Sequence, residues 1–126
     1  MEIILDTNIL LLPARNNIDI FAEIDRLIVD QYELVTLSPV LSELEGISGS
    51  SKDGIAANVG LRLIEKKGVR IIGADTDADN AIISYVSGKK AMVATNDRAL
   101  RVKLKKMGIP TIFMRSKSHL EMDGHG

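Results

Sequence analysis

Three observations predict an α/β fold built on a parallel sheet. Short apolar runs recur along the chain, and stretches of helical periodicity separate them. The runs are apolar almost throughout rather than alternating, as expected of strands buried on both faces. The first and fourth of them, Ile3-Ile4-Leu5 and Ala91-Met92-Val93-Ala94, each end in a polar turn that carries an aspartate. Ligands of open α/β sheets bind beyond the carboxyl ends of the strands, where those turns fall.

Taken in order, the first strand is Met1 to Leu5 and leads into Asp6-Thr7-Asn8. A brief apolar helix follows from Thr7 to about Leu12, and Pro13 bends or ends it. Ile20, Phe21, Ile24, Leu27 and Ile28 recur at helical spacing and predict an amphipathic helix to about Gln31. Glu33 to Leu37 is the second strand. Ser38-Pro39 opens a new helix, with Ser38 as N-cap and proline at the first helical position, and the helix runs out at Gly46. Gly46 to Gly54 is rich in Gly and Ser and reads as a mobile surface loop, too short to divide domains.

Ile55 to Lys67 reads as a helix stopped by Gly68, and Val69 to Ile72 as the third strand. Thr76 is placed to cap a helix that lasts to about Ser87, with Gly88 ending it. After the fourth strand come a helix from Asn96 to Met107 and a last strand from Pro110 to Met114. Residues 1–117 are thus expected to form one domain, and 118–126 a flexible C-terminal tail.

Composition narrows the chemistry. Apolar residues make up 45% of the 126 positions but aromatics only 3%, so the core must be built from Ile, Leu, Val and Ala. A net charge of −1 excludes a globally basic nucleic-acid binder while leaving room for a local patch. The absence of cysteine excludes disulfides, zinc-thiolate sites and thiol nucleophiles. The N-terminal apolar run is too short for a signal peptide or a membrane span and has no positive flank, so the expectation is a cytoplasmic protein with no membrane partner. His119 and His125 both fall in the expected tail, which leaves the core without an imidazole and makes a Ser-His-Asp triad implausible. Chemistry must come from carboxylates, hydroxyls, lysines or a bound metal.

Four carboxylates are placed to meet. Asp6 and Asp97 end two apolar strands, and neighbouring strands lie only about 4.8 Å apart. For each, a plain helix-capping role competes with a ligand role. Asp79 falls within the stripe formed by Ile82, Ile83 and Val86, where an unpaired carboxylate is costly. Its competing role is a capping box with Thr76, while Asp77 points away and reads as a first-turn acid. In the helix after Ser38-Pro39, Glu43 and Glu45 flank the apolar face on opposite sides, and spacing does not choose between them. Converging carboxylates destabilise a fold unless a cation neutralises them. An oxygen-only ligand set suits Mg²⁺ or Mn²⁺, ions that serve phosphodiester hydrolysis. In the helix after Asp97, Leu100, Leu104 and Met107 form the buried stripe, while Arg98, Arg101 and Lys105 share another side. That side suits either contact with an RNA backbone or plain solvation.

These residues, in order, resemble the acidic motifs of PIN-domain ribonucleases: Asp6-Thr7-Asn8, Ser42-Glu43-Leu44-Glu45, Ala78-Asp79-Asn80-Ala81-Ile82 and Ala94-Thr95-Asn96-Asp97. The stretch 19–27 and the ending from Ile109-Pro110 to Ser118-His119-Leu120-Glu121 look most like archaeal relatives of the PIN endonuclease that processes small-subunit ribosomal RNA precursors, and less like VapC toxins. The resemblance implies a three-layer α/β/α domain of about five strands in the order 3-2-1-4-5. It implies metal ligation by Asp6, Glu43, Asp79 and Asp97, which selects Glu43 over Glu45, and a supporting hydroxyl at Thr95. One or two Mg²⁺ or Mn²⁺ ions, an RNA substrate such as a ribosomal RNA precursor, and a possible homodimer follow from the same likeness. Asn80 departs from the family pattern, in which a second Asp often stands there, and this puts a second ion in doubt. The implied activity is a metal-dependent endoribonuclease. The alternatives are a catalytically weak or inactive module that binds RNA or protein, and a VapC-type toxin ribonuclease.

Overall fold

The computed structural model describes residues 1–124. Its strands are β1 (Glu2–Leu5), β2 (Glu33–Leu37), β3 (Arg70–Ile72), β4 (Ala91–Ala94), β5 (Thr111–Ser116) and β6 (His119–Asp123). Its helices are α1 (Thr7–Leu10), α2 (Leu12–Arg15), α3 (Ile20–Leu27), α4 (Ser38–Ile47), α5 (Lys52–Lys66), α6 (Ala78–Val86) and α7 (Arg98–Lys106). The strands form one sheet in the order β3-β2-β1-β4-β5-β6, parallel except for β6. The architecture is the expected three-layer α/β/α, with a sixth strand added to the expected five.

β1 is central because its sequence allows nothing else. Ile3, Ile4 and Leu5 are all 0% exposed, and burying each such side chain is worth about 1.5–3 kcal/mol. Ala91 to Ala94 of β4 are buried alongside, and Leu5 pairs in register with Ala94. The next residue, Asp6, donates its backbone N–H to Ala94 O at 3.0 Å, and Thr95 N donates to Ile112 O at 2.9 Å. The two chains therefore leave the sheet side by side at its carboxyl edge.

A close helix contact completes that edge. α5 packs against α2 and α4 through Gly54, Ala56, Ala57, Gly60 and Ile64. A Cβ on Gly60 would stand 2.7 Å from the Leu10 carbonyl oxygen, so only glycine lets α5 approach α1 this closely.

Several expectations are corrected. Residues 119–123 are not a tail but the edge strand β6, antiparallel to β5. Leu120, 0% exposed, anchors it, and Glu23 accepts the Leu120 N–H at 3.0 Å while Arg26 donates to Leu120 O at 3.0 Å. The pairing also satisfies the outer edge of β5. His119 is thus a strand residue, 3.6 Å from the Glu23 carboxylate, and His125 lies outside the described residues.

α3 ends at Leu27 because Ile28 turns extended, at φ −104°. The loop expected over 46–54 shrinks to the four residues 48–51, because Ser51 caps α5 by accepting from Gly54 N at 3.0 Å. Ser38 is the first residue of α4 rather than its cap, and its hydroxyl binds Ala74 instead. Asp77, not Thr76, caps α6, and Met107 is 38% exposed rather than buried. Among the described residues no helix is long and apolar enough to cross a membrane.

Candidate active site

Asp6 sits at the carboxyl end of β1 and is only 4% exposed. Its Oδ1 accepts from Thr7 N at 2.8 Å, which makes it the N-cap of α1. Its Oδ2 accepts from the Thr95 hydroxyl at 2.7 Å and from Asn8 Nδ2 at 3.4 Å. Capping is therefore real for Asp6, and it leaves acceptor capacity on Oδ1. Thr95 is 0% exposed, and its Oγ1 in turn accepts from Asp97 N at 3.1 Å.

Asn8 extends this network sideways. Its Oδ1 accepts from Asn96 N at 2.8 Å, and Asn96 Oδ1 accepts from Met114 N at 2.7 Å. The turns after β1 and β4 and the strand β5 are tied into one unit. Neither asparagine was singled out from the sequence, although both stand inside the motif triplets.

The other acids come from three further elements. Asp97 caps α7, its Oδ1 accepting from Leu100 N at 3.1 Å. Glu43 is exposed on α4 and accepts from the Thr7 hydroxyl. Asp79, in the first turn of α6, is half-buried, and among the described residues its carboxylate accepts no hydrogen bond. The capping box that competes for Asp79 does not form, because Asp77 accepts from Asn80 N at 2.8 Å and from Asn80 Nδ2 at 2.9 Å.

Asp6, Glu43, Asp79 and Asp97 all line one cleft of ≈ 540 Å³. Thr95 supports it from beneath through Asp6. Burial pushes the Asp6 carboxyl above its ordinary value, and the charges of Asp79 and Glu43 add to this against the hydrogen bonds from Thr95 and Thr7. Burial likewise raises Asp79, helped by Asp97, Asp77 and Glu43 and opposed by Lys103.

As the side chains lie, no three carboxylates among the described residues surround a common point. Glu43 and Asp97 are turned to the hydrogen bonds just described. The donor set nonetheless fits a hard divalent cation: it is rich in carboxylate oxygen, holds no sulfur or imidazole, and concentrates negative charge that a cation would relieve.

The expected basic face does not reach this cleft. Arg98, Arg101 and Lys105 are not among its lining residues. Arg101 stacks over the Phe113 ring at 3.6 Å and pairs with Asp123 at 3.6 Å, so it helps hold β5 and β6. The cation that α7 does bring to the cleft is Lys103, which no feature of the sequence distinguishes from its neighbours.

Residues 3–117 match the family described as PIN like domain. The chain belongs to this PIN family. It is 33% identical over 129 positions to "Ribonuclease VapC4" of Methanocaldococcus jannaschii, an alignment covering 98% of this chain and 97% of that protein. It is 27% identical over 114 positions to "Ribonuclease VapC9" of Archaeoglobus fulgidus, covering 89% of this chain and 82% of that one. Among solved structures, the PIN domain endonuclease Utp24 superposes with a TM-score of 0.82 at 24% identity, covering 98% of this chain and 92% of that one. At that identity the likeness concerns the fold. Both sequence relatives carry VapC names, whereas the stretches 19–27 and 109–121 look less like VapC toxins.

Proposed function

We propose that this PIN domain is a divalent-metal-dependent endoribonuclease. The observation that carries the reading is the convergence of Asp6, Glu43, Asp79 and Asp97, from four separate elements, on one cleft at the carboxyl edge of the sheet. Asp6, Glu43, Asp79 and Asp97 would hold one or two Mg²⁺ or Mn²⁺ ions. When bound, such ions supply water activation and charge neutralisation at phosphorus. The protein's part is to keep the acids in place. Thr95 and Thr7 N hold Asp6, and Asn8 fixes the turn that carries Asp97. Thr7 orients Glu43. Arg98 and Lys105, exposed on α7, remain available to more distant RNA phosphates.

On substrate, a VapC-type ribonuclease is favoured over ribosomal RNA precursor processing. The VapC4 match runs nearly end to end in both chains at 33% identity, while the Utp24 match speaks for the fold. The test incubates the purified chain with labelled transfer RNA, mature ribosomal RNA and a precursor fragment. Each is run with Mn²⁺, with Mg²⁺ and with EDTA, beside Asp6→Asn. Cleavage in Mn²⁺ that is lost in EDTA and in the variant is expected. Cleavage that survives both would overturn the metal mechanism, and cleavage confined to the precursor would overturn the VapC-type reading.

A further inference from the structure

The wall of the cleft formed by α6 and α7 carries less usable negative charge than its acidic residues suggest. Asp77 commits one oxygen to Asn80 N at 2.8 Å and the other to Asn80 Nδ2 at 2.9 Å. Asn80 lines the cleft but contributes an amide rather than a carboxylate. Asp79 is left as the acid of this wall that accepts no hydrogen bond among the described residues. Lys103 lines the same cleft from α7. Yet among the described residues Lys103 forms no ion pair and no hydrogen bond. Arg101, two residues earlier on α7, is by contrast held over Phe113 and beside Asp123.

A phosphodiester brought into an acidic cleft needs positive charge on both sides of the reacting phosphorus, where negative charge grows as the bonds change. The side nearest Asp6 offers the buried acid and Glu43 for a cation. The opposite side offers Asp79, the Asp97 oxygen that is not held by Leu100 N, and a tethered ammonium, which repels a second dication and can itself meet a phosphate oxygen. We propose that Lys103 is a catalytic residue supplying the second positive charge of this site, so that the cleft works with one divalent ion and a lysine in place of two ions. This rests on the nuclease reading above. In the hydrolysis the water oxygen bonds to phosphorus, and the bond to the leaving ribose oxygen breaks with its electron pair. That oxygen ends with a proton drawn from water. Lys103 keeps its own proton throughout and contacts a non-bridging oxygen.

The test uses the full chain with two readouts. Calorimetric titration with Mn²⁺ alone, without RNA, counts ions. Single-turnover cleavage of a labelled RNA in Mn²⁺ measures the chemical step. Wild type is expected to bind one ion. Lys103→Met is expected to bind Mn²⁺ at least as tightly while cleaving roughly a hundredfold more slowly, the scale of losing one transition-state charge contact. Lys103→Arg should recover part of that loss. Two ions on wild type, or an unchanged rate in Lys103→Met with Mn²⁺ binding intact, overturns the proposal and leaves the nuclease reading standing. No Mn²⁺ bound by wild type, or cleavage that persists in EDTA, overturns both.

Discussion

The Thr95 hydroxyl donates to Asp6 Oδ2 at 2.7 Å across two adjacent strands, with both residues buried. Leu5 and Ala94 are paired in register, so Asp6 and Thr95 are the first residues past the sheet on each strand. Thr95 also accepts from Asp97 N, which makes one buried hydroxyl the link between two of the four acids.

Thr95→Val keeps the shape, removes the donor to Asp6 and leaves the Asp97 N–H short of its acceptor. Loss of stability of about 1–3 kcal/mol is expected, as for unsatisfied buried polar groups. Nuclease activity should fall by more than the stability loss accounts for, because Asp6 loses its orienting bond. Thr95→Ser should retain most of both. Urea unfolding and single-turnover cleavage in parallel check this, and a Thr95→Val protein with wild-type cleavage would refute it.

Asp6 itself is a source of instability that a cation should relieve. Its folded-state pKa is raised above 3.8, by burial first and by Asp79 and Glu43 after. A carboxyl raised in the fold adds no penalty below its unfolded pKa. The penalty grows as pH climbs from 3.8 through the raised value and is complete at neutral pH. Asp6→Asn should therefore be as stable as wild type or more so in EDTA at pH 7, by up to about 2 kcal/mol. That advantage should vanish well below pH 3.8, where Asp6 is protonated in both states. Added Mn²⁺ should raise the melting temperature of wild type more than that of the variant. Melting curves across pH test both parts. A variant clearly less stable than wild type in EDTA at pH 7 would contradict the sign.

Much of this is legible in the sequence, for reasons that differ by residue. Asp6 and Asp97 announced themselves because an apolar strand followed by a polar turn is a one-dimensional pattern. Asp79 was legible from its apolar stripe, although the cap beside it is Asp77 rather than Thr76. Glu43 and Glu45 are both exposed, and what separates them is a hydroxyl thirty-six positions away on Thr7, which no local period encodes. β6 leaves no local signal for a similar reason. It holds one fully buried residue, Leu120, among polar neighbours, and its order comes from β5 and from Glu23 on a distant helix. Lys103 sits in a helix crowded with cations, and only the placement of α6 makes it different from the rest.

The contact between α5 and α1 sets the position of the Asp6 turn from behind. A methyl group at Gly60 would meet the Leu10 carbonyl oxygen at 2.7 Å, a backbone atom that cannot step aside alone. Gly60→Ala should cost about 1–3 kcal/mol through overpacking, despite the better helix propensity of alanine. Gly46 has nothing within 4 Å of a Cβ and serves as the control, where Gly46→Ala should be neutral or slightly stabilising. Equal stability of the two variants by urea unfolding would rule out the close approach.

Glu23 is the bolt that holds β6 to α3. It accepts from Arg26, from the Leu120 amide and lies near His119. The Arg26 hydrogen bond first and the Leu120 amide second lower its carboxyl from 4.5 to about 2. For a carboxyl lowered in the fold, the stabilising effect is present above the unfolded pKa and is lost as pH falls through the folded one. The window is therefore between 4.5 and about 2. Arg26 and His119 are 53% and 64% exposed, so screening leaves little from the ion pairs themselves. The charge-assisted bond from the Leu120 N–H carries most of the effect, about 1.5–3 kcal/mol. Glu23→Ala should accordingly speed hydrogen exchange at the Leu120 amide at pH 7, while exchange in β1 and β4 changes much less. Lowering the pH of wild type through that window should expose the Leu120 amide in the same way, before the central strands open. Exchange at Leu120 that is indifferent to both changes would mean that β6 is held by its pairing with β5 alone.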